Sequence, residues 1–490
     1  MKLNRPFYAL AIMVIAGMLP IVVIAQMPAN AGSHGPATAQ ANTPSGRQAS
    51  PSVSLWLTNP DQSALFQRQP ANLMFAPPAG NHPTITVDTS STFQTMDGFG
   101  YTLTGGSASL IDGLHREARQ ALLRELFSTD SGCIGISYLR ISIGSSDMDA
   151  SVFSYDDMPA GKKDPALTDF TIARDQQHLI PILRSILALN PHIKILGSPW
   201  SAPSWMKDND TTKGGRLDPA NYKVYALYLV KYIQAMKAAG IPIDAITPQN
   251  EPMNPKNNPS MVVTDTAEAA FVRTALGPAF QQAGLTTKII VWDHNCDMPE
   301  YPLYILGDAA AAAYVDGSAF HLYMGDVSAL STVHNAYPHK NIYFTEEYTA
   351  GGSSFAGDLS WHVANLIIGA PRNWARNVLE WNLAADPNLN PHTPGGCNTC
   401  LGALTIGSSV TRNVSYYIIA HAAKFVRPGS VRVASTMTDG LPNVAYQTPA
   451  GKKVLIVLNQ TGTARTFNIS FRGQAVTTTL MAGAVGTYVW

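Results

Sequence analysis

Charge is scarce in this chain of 490 residues, and its two signs cancel. Charged residues make up 13% of the sequence, and 33 Lys and Arg residues balance 33 Asp and Glu residues. Nucleic-acid binding usually needs a basic face, so this balance argues against a nucleic-acid partner. It also argues against electrostatic attachment to a membrane, whereas a neutral sugar substrate is compatible with it.

Cysteine is also rare, with four residues in the whole chain. Cys397 and Cys400 form a C-x-x-C pattern. A zinc site would need a second pair of ligands, and none stands nearby; a redox role would need a thioredoxin-like context, which is absent. In an exported protein, the favoured interpretation is a structural disulfide that pins this loop. We expect Cys133 and Cys296 to be buried free thiols.

Only the N-terminus carries a long apolar run. Lys2 and Arg5 precede the apolar stretch 7–25, and Ala29 and Ala31 offer a small-x-small cleavage site. This pattern predicts a signal peptide over 1–31 and an exported protein, either periplasmic, at the cell surface or secreted. An uncleaved membrane anchor is the alternative, and it would be the chain's only membrane contact.

Residues 32–50 are rich in Ala, Gly, Ser, Thr and Pro and have little to bury. This composition predicts a low-complexity linker. An overhang of the signal peptide without a role of its own is the alternative.

Strand-like runs alternate with amphipathic helices between residues 92 and 422. The predicted strands are 98–103, 138–144, 194–199, 244–249, 288–293, 319–323, 342–346 and 378–383. Eight such strands alternating with helices predict an α/β fold of the (β/α)8 TIM-barrel type. A doubly wound sheet is the alternative, but no glycine-rich phosphate loop follows the first strand.

Two of the helices carry signals for their bounds. Asp218 at the N-cap and Pro219 at the first helical position predict a helix that ends at Gly240. A second helix is predicted over 174–189, with a kink at Pro181.

The last part of the chain changes its hydrophobic period from that of helices to that of strands. Residues 465–472 alternate apolar and polar side chains, which is typical of antiparallel β structure. Because 73–92 is also β-rich, we expect an all-β sandwich formed from both ends of the chain, 51–91 and 423–490, appended to the barrel over 92–422.

Two glutamates end predicted barrel strands. Glu251 lies between Asn250 and Pro252 after the fourth strand, and Glu346 ends the seventh. Active sites of TIM barrels lie at the C-terminal ends of the strands, so we expect the two carboxylates to meet. Retaining glycoside hydrolysis needs such a pair, about 5–5.5 Å apart. Side-chain alternation turns the neighbouring Glu347 away, toward an orienting or ion-paired role.

The same rule gathers further side chains that suit a sugar site, namely aromatic faces and polar groups. They are Arg140, Asp147, Trp200, His321, Tyr323 and Trp381. Four of them have a structural alternative: core packing for Trp200, a satisfied core position for His321, a helix cap for Asp147, and pairing with a barrel carboxylate for Arg140.

These residues sit in motifs that resemble glycoside hydrolase family 30, the glucosylceramidase-like retaining β-glycosidases, in the order found in that family. The matching segments are 98–100, 140–147, 198–205, 250–252, 321–323, 345–346, 381–384 and 422–430. The resemblance implies that Glu251 is the acid/base, kept protonated by its surroundings, and that Glu346 is the nucleophile.

The resemblance also implies roles around the glutamates. Residues expected to hold the glycone are Asp147, Trp200, Asn250, Trp381 and, in the cysteine loop, Asn398. Arg140 would favour the charged form of Glu346, and His321 and Tyr323 would tune it by hydrogen bonds. No metal or organic cofactor is expected.

The leading functional hypothesis is an exported retaining β-glycosidase that acts on β-glucosides and is glucosylceramidase-like. A β-1,6-glucanase of the same family is the first alternative, and a non-catalytic carbohydrate-binding protein is the second. Two departures weaken a ceramide substrate: Thr104 is followed by glycines where some members carry an acid, and 255–261 is insertion-like, neither lipid-like nor strongly polar.

Overall fold

Eight parallel strands close into a barrel in the computed structural model, which describes residues 52–78 and 80–490. The predicted TIM barrel is therefore confirmed. Its strands are Gly98–Thr102, Tyr138–Ile143, Lys194–Pro199, Ala245–Ile246, Lys288–Cys296, Val315–Gly325, Asn341–Glu346 and Ala375–Asn382. The predicted signal peptide over 1–31 and linker over 32–50 lie outside the described residues.

Helices connect the strands on the outside of the barrel. They are Gly105–Asp112, Arg116–Phe127, Leu179–Leu189, Tyr222–Ala238, Asp265–Phe271, Gly277–Gln282, Glu300–Gly307, Ala309–Ala312, Ala329–Ala336, Phe355–His362, Ala370–Arg372 and Val414–Ala423. Short 3-10 turns span Ser204–Met206 and Pro219–Asn221, and π turns span Val272–Leu276 and Val363–Gly369. No helix among the described residues is both long and apolar enough to cross a membrane.

Two helix starts differ from the prediction. The helix predicted over 174–189 begins at Leu179, so Pro181 lies in its first turn, where a missing N–H breaks no hydrogen bond and no kink is required. Asp218 does cap the next helix region, but it caps the 3-10 turn Pro219–Asn221, which leads into the α-helix.

The barrel interior has an apolar layer and, above it, a polar layer. The apolar layer is a cluster of Tyr138, Leu196, Ala245, Ile290, Ala319, Tyr343 and Leu379. Successive side chains of a strand alternate between its faces, so the residues two places further on also point inward. Several of these are polar and fully buried: Arg140, Ser198, Thr247, His321 and Thr345. Because of this alternation, the inward-facing polar side chains lie toward the C-terminal end of the barrel.

A ten-stranded β domain accompanies the barrel and combines strands from both ends of the chain. This confirms the predicted sandwich. Its strands are Ser52–Thr58, Gln67–Arg68, Leu73–Met74, Thr84–Thr95, Val431–Ser435, Asn443–Gln447, Lys453–Leu458, Arg465–Phe471, Gln474–Leu480 and Val485–Val489. The long strand Thr84–Thr95 pairs with Val431–Ser435 along one part and with Arg465–Phe471 along another, so it links the two layers.

His421 joins the last barrel helix to this domain. Its Nδ1 and Nε2 atoms each lie 2.8 Å from a threonine hydroxyl, those of Thr487 and Thr58 respectively. Burial lowers the pKa of His421 to about 3, so the ring is neutral. One ring nitrogen donates to a hydroxyl, and the other accepts from the second hydroxyl. The contact fixes the sandwich against the barrel without a buried charge.

Candidate active site

The two predicted glutamates meet at the C-terminal end of the barrel. An oxygen of Glu251, an oxygen of Glu346 and a ring nitrogen of His321 all lie within 4.8 Å of one another. Both glutamates are nearly buried. Glu251 has a φ of 44°, an unusual backbone for a non-glycine residue, and its N–H donates to the carbonyl of Asp293 at 3.0 Å. Such strained backbones concentrate at functional sites.

Asp293 is the hydrogen-bonding centre beneath the glutamates. Its Oδ2 accepts from Arg140 Nη2 at 2.8 Å, and its Oδ1 lies 3.2 Å from His321 Nε2. Three hydroxyls, those of Ser198, Thr247 and Thr345, donate to the same carboxylate at 3.1, 2.8 and 2.6 Å. Burial alone would raise its pKa, but Arg140 and His321 outweigh burial and lower it, so Asp293 is a carboxylate that fixes both cations.

Glu346 is held by two donors. Arg140 Nη1 donates to its Oε2 at 2.5 Å, and the Tyr323 hydroxyl donates to its Oε1 at 3.0 Å. A second nitrogen of Arg140 donates to the Asn250 amide oxygen at 2.6 Å. Asn250, which was expected to hold the glycone, is not among the residues that line the cavity above the glutamates. Burial raises the pKa of Glu346, His321 and Arg140 oppose that rise, and the nearby Glu251 adds to it.

Glu251 lies among different neighbours. The side-chain amides of Asn254 and Asn257 donate to its Oε2 at 2.7 and 3.2 Å. Its Oε1 lies 3.6 Å from His321 Nδ1 and 3.8 Å from His294 Nε2. Although burial would raise the pKa of Glu251, these histidines and Asn254 lower it to about 2. The expectation that its surroundings keep Glu251 protonated is therefore wrong for the unliganded site, because a cationic His321 favours the carboxylate.

His321 lies between the two glutamates and below the cavity. Its Nδ1 is 3.6 Å from Glu251 Oε1 and 3.7 Å from Glu346 Oε1. Burial would lower its pKa, but Glu346, Asp293 and Glu251 raise it to about 10. Protonated imidazole has no lone pair for a metal, so the close approach of these three residues does not suit a cation site.

A cavity of about 170 Å³ opens above the glutamates. Its walls include the rings of Trp200 and Trp381, whose centroids are 5.3 Å apart, and the Asp147 carboxylate. Burial, together with Glu346 and Glu251, raises the pKa of Asp147 to about 7. The remaining lining residues are Asn254, Asn257, Tyr323, Tyr348, Cys397 and Cys400. Aromatic faces and carboxylates around a small cavity suit a sugar ring.

Asn398 and Glu347 lie outside the cavity. Asn398 is exposed and is not among the residues that line it, although the cysteines on either side of it are. Glu347 directly follows the strand Asn341–Glu346; it is buried but does not line the cavity, and burial raises its pKa to about 8 while His362 opposes that rise. Of the two neighbouring glutamates, only Glu346 lines the cavity, as the sequence predicts.

The cysteines are arranged as predicted. Cys397 and Cys400 form a disulfide, and Cys133 and Cys296 are buried free thiols.

Sequence reasoning missed several residues of the site, among them Asp293, His294, Asn254 and Asn257. Asp293 closes the predicted fifth strand, so the strand-end rule that selected the glutamates applies to it equally. Asn254 and Asn257 follow Glu251 closely, but asparagines in a loop carry no signal of their direction.

The comparisons with known proteins agree with this geometry. Residues 96–426 match the glycosyl hydrolase family 30 TIM-barrel domain, and residues 429–488 match its beta sandwich domain. The endo-1,6-beta-D-glucanases of Aspergillus fumigatus and Neurospora crassa are 35% and 36% identical to the chain; the alignments cover 77% and 75% of this chain and 81% and 79% of those proteins.

Two further relatives show the breadth of the likeness. A solved endo-beta1,6-glucanase structure aligns with a TM-score of 0.82 at 35% identity, over 90% of this chain and 99% of that one. The lysosomal acid glucosylceramidase of Mus musculus is 28% identical over 83% of each chain. The barrel, the appended sandwich and these matches together show that the chain is a glycosidase belonging to glycoside hydrolase family 30.

Proposed function

We propose that this enzyme hydrolyses β-1,6-linked glucans and retains the configuration of the anomeric carbon. The relatives at 34–36% identity are named endo-1,6-beta-D-glucanases, whereas those named glucosylceramidases are at 27–29%. This supports the β-1,6-glucanase alternative over the glucosylceramidase-like hypothesis. The observation that carries the retaining chemistry is the pair Glu251 and Glu346, with oxygens within 4.8 Å and unlike surroundings.

In the first step, Glu346 attacks the anomeric carbon and Glu251 gives its proton to the departing glycosidic oxygen. A glycosyl–Glu346 ester forms as the carbon–oxygen bond to the leaving group breaks. In the second step, Glu251 takes a proton from a water molecule that attacks the same carbon, and Glu346 departs as a carboxylate. Arg140 and Tyr323 donate to Glu346 and stabilise it whenever it is charged.

The proton that Glu251 needs is held by His321 in the unliganded site. His321 Nδ1 is buried and has no hydrogen-bond partner among the described residues, and it points to Glu251 Oε1 at 3.6 Å. When a sugar replaces water above the glutamates, the free energy of keeping two neighbouring carboxylates charged rises. Transfer of the His321 proton to Glu251 neutralises one of them. The second step returns the proton.

The substrate is tested with three compounds at equal enzyme concentration: linear β-1,6-glucan, gentio-oligosaccharides and glucosylceramide. We expect release of reducing sugar from the first two and much slower release from the third. Turnover of glucosylceramide alone would contradict the proposed substrate and would favour the glucosylceramidase-like alternative. Tight sugar binding without turnover of any β-glucoside would favour a non-catalytic carbohydrate-binding protein.

The mechanism is tested with an aryl β-glucoside or β-gentiobioside and NMR of the first-formed anomer. Wild type should release the β-anomer. Glu346→Gln should abolish turnover, because no ester can form. Since an aryl leaving group needs little acid assistance, Glu251→Gln should still form the ester and release it slowly until azide is added. An α-anomer as the first product would refute retention.

Glu347→Gln is the matched control for these variants, because Glu347 is also buried but does not line the cavity. It should keep the β-anomer product and far more activity than Glu346→Gln. Equal losses in the two variants would mean that the nucleophile has been misassigned.

Export is part of the proposal. It is supported by the signal-peptide pattern over 1–31 and by the Cys397–Cys400 disulfide, since disulfides persist in oxidising compartments. N-terminal sequencing of protein recovered outside the cytoplasm should begin after Ala31. Full-length protein retained in the membrane fraction would favour the uncleaved anchor.

A further inference from the structure

We propose that the Cys397–Cys400 disulfide is a positioning element of the sugar site: it holds the loop that orients the Asp147 carboxylate, so that sugar affinity depends on the oxidised state. This inference rests on the proposed function, since it takes the cavity to be the sugar site. Its starting point is that both cysteines line the cavity beside Asp147.

The loop contacts Asp147 at three points. The Cys397 N–H donates to Asp147 Oδ2 at 3.2 Å, and the Thr393 N–H donates to the Asp147 carbonyl at 2.9 Å. Gly396 approaches so closely that a Cβ there would lie 2.4 Å from the same carbonyl oxygen. Among the described residues, Cys397 is the only other residue that donates a hydrogen bond to this carboxylate. Its direction therefore depends on where the loop holds Cys397.

The other end of the loop is attached to the chain that leaves the nucleophile. The short strand Cys400–Leu401 pairs with Thr349–Ala350, three residues after Glu346, and the Gly351 N–H donates to the Thr399 carbonyl at 2.7 Å. The disulfide therefore joins the loop residue that contacts Asp147, Cys397, to the short strand Cys400–Leu401, which is paired beside Glu346. It sets the position of one carboxylate relative to the other.

Opening the disulfide would separate these two attachments. A dithiol reductant is oxidised to its cyclic disulfide while the Cys397 and Cys400 sulfurs become two thiols, so electrons and protons balance. Cys397 is then no longer bonded to Cys400, and its N–H no longer has a fixed direction toward Asp147. Since Asp147 is already close to neutrality, with a pKa of about 7, losing a donor to its charged form should raise that pKa further and weaken sugar binding.

The experiment compares oxidised and dithiothreitol-reduced wild type, with a gentio-oligosaccharide as substrate and a glucose-configured iminosugar as binding probe. Reduction should raise KM and the inhibitor Kd on the order of tenfold, the effect of one hydrogen bond to a charged group, with a smaller change in kcat. Cys397→Ser/Cys400→Ser should match reduced wild type and should not respond to dithiothreitol. Unchanged KM and Kd in reduced wild type that is shown to carry the new thiols would overturn the proposal.

A double-mutant cycle tests whether the effect passes through Asp147. In an Asp147→Asn background, reduction should change Kd much less than in wild type, because the oriented carboxylate is already absent. If reduction changes Kd as much in the Asp147→Asn background as in wild type, the proposal is overturned. It is also overturned if the effect of reduction on Kd disappears in an Asn398→Ala background, because the effect would then act through the exposed asparagine inside the loop. If the oxidised enzyme binds the iminosugar but hydrolyses no β-glucan, the proposed function fails while the redox dependence of Kd still decides this inference.

Discussion

Replacing Asp293 with asparagine tests whether the buried charge network, and not the two glutamates alone, sets the chemistry. The change keeps the shape of the side chain and removes one negative charge. Its amide can place oxygen toward Arg140 and the nitrogen toward Thr345, whose hydroxyl can turn to accept. His321 then faces a donor in place of an acceptor, and protonation of its Nε2 is no longer favoured.

The expected loss of stability follows from the contacts that survive. Removing one partner of a buried ion pair typically costs about 3–5 kcal/mol. Arg140 keeps Glu346 at 2.5 Å and Asn250 at 2.6 Å, so the lower end, about 3 kcal/mol, applies here. The variant should therefore fold, with a melting temperature several degrees below that of wild type.

The assay is the pH dependence of kcat/KM between about pH 5 and about pH 9. His321 owes its raised pKa to Glu346, Asp293 and Glu251 acting against burial. Without the Asp293 charge it should lose its proton at lower pH, and the alkaline limb of the profile should move to lower pH as Glu251 loses its proton source. The maximal rate should fall on the order of 100-fold or more, as expected when an electrostatic contributor is removed.

Asp97→Asn is the matched control, because Asp97 also pairs with a barrel arginine, Arg376 at 3.0 Å, but precedes the first strand at the opposite end. It should lower stability modestly and leave the pH profile unchanged. A folded Asp293→Asn enzyme with the wild-type rate and profile would refute the reasoning that Asp293 sets the charge of His321.

Two further variants test single groups. Tyr323→Phe removes the hydroxyl that donates to Glu346 at 3.0 Å; kcat/KM should fall about 10- to 100-fold without a change in melting temperature, and a loss under twofold would contradict the contact. Glu268 has its pKa raised to about 8 by burial, so the folded state keeps a proton that the unfolded state, with a value near 4.5, releases. The free energy of unfolding of wild type therefore falls by a few kcal/mol as pH rises from about 4.5 to about 8, at about 1.4 kcal/mol per pH unit. Glu268→Gln has no such proton and should not show this loss. Melting curves should coincide near pH 4.5 and separate by pH 8; a separation independent of pH would contradict this.

The fold could be predicted because its determinants are local. Each barrel strand carries its own apolar run, and the alternating helices leave few other architectures. The fourth strand shows the limit: it was predicted over 244–249, but its ladder is confined to Ala245–Ile246. The following residues turn toward the site, where the Asn250 N–H still bonds to the Pro199 carbonyl outside a regular strand. Sequence patterns show where apolar runs lie, but they do not show where the hydrogen bonding between two strands ends.

Within the site, the strand-end rule found the glutamates because each lies at the end of a strand-like apolar run in the sequence. Asp293 also ends a predicted strand, but side-chain alternation assigns it to the wrong face. Ile290 faces the barrel interior, so simple alternation would turn Asp293 outward. Trp292 and Asp293 instead have φ values of 78° and 60°, which break the alternation and turn the carboxylate inward. Aspartate adopts a positive φ more often than most residues, but tryptophan does not, and nothing in the sequence marks this break in the alternation.

The protonation of Glu251 could not be predicted either, because it depends on charges brought together from five strands. Four acidic groups, Glu251, Glu346, Asp293 and Asp147, lie around two cations, Arg140 and His321. Acidic groups therefore outnumber cations in the site. Transfer of a proton from His321 to Glu251 leaves the net charge of the site unchanged, because one anion and one cation are neutralised together. The positive charge that develops on the sugar during bond cleavage therefore meets a preformed negative charge in a buried site, where it is stabilised more strongly than in water.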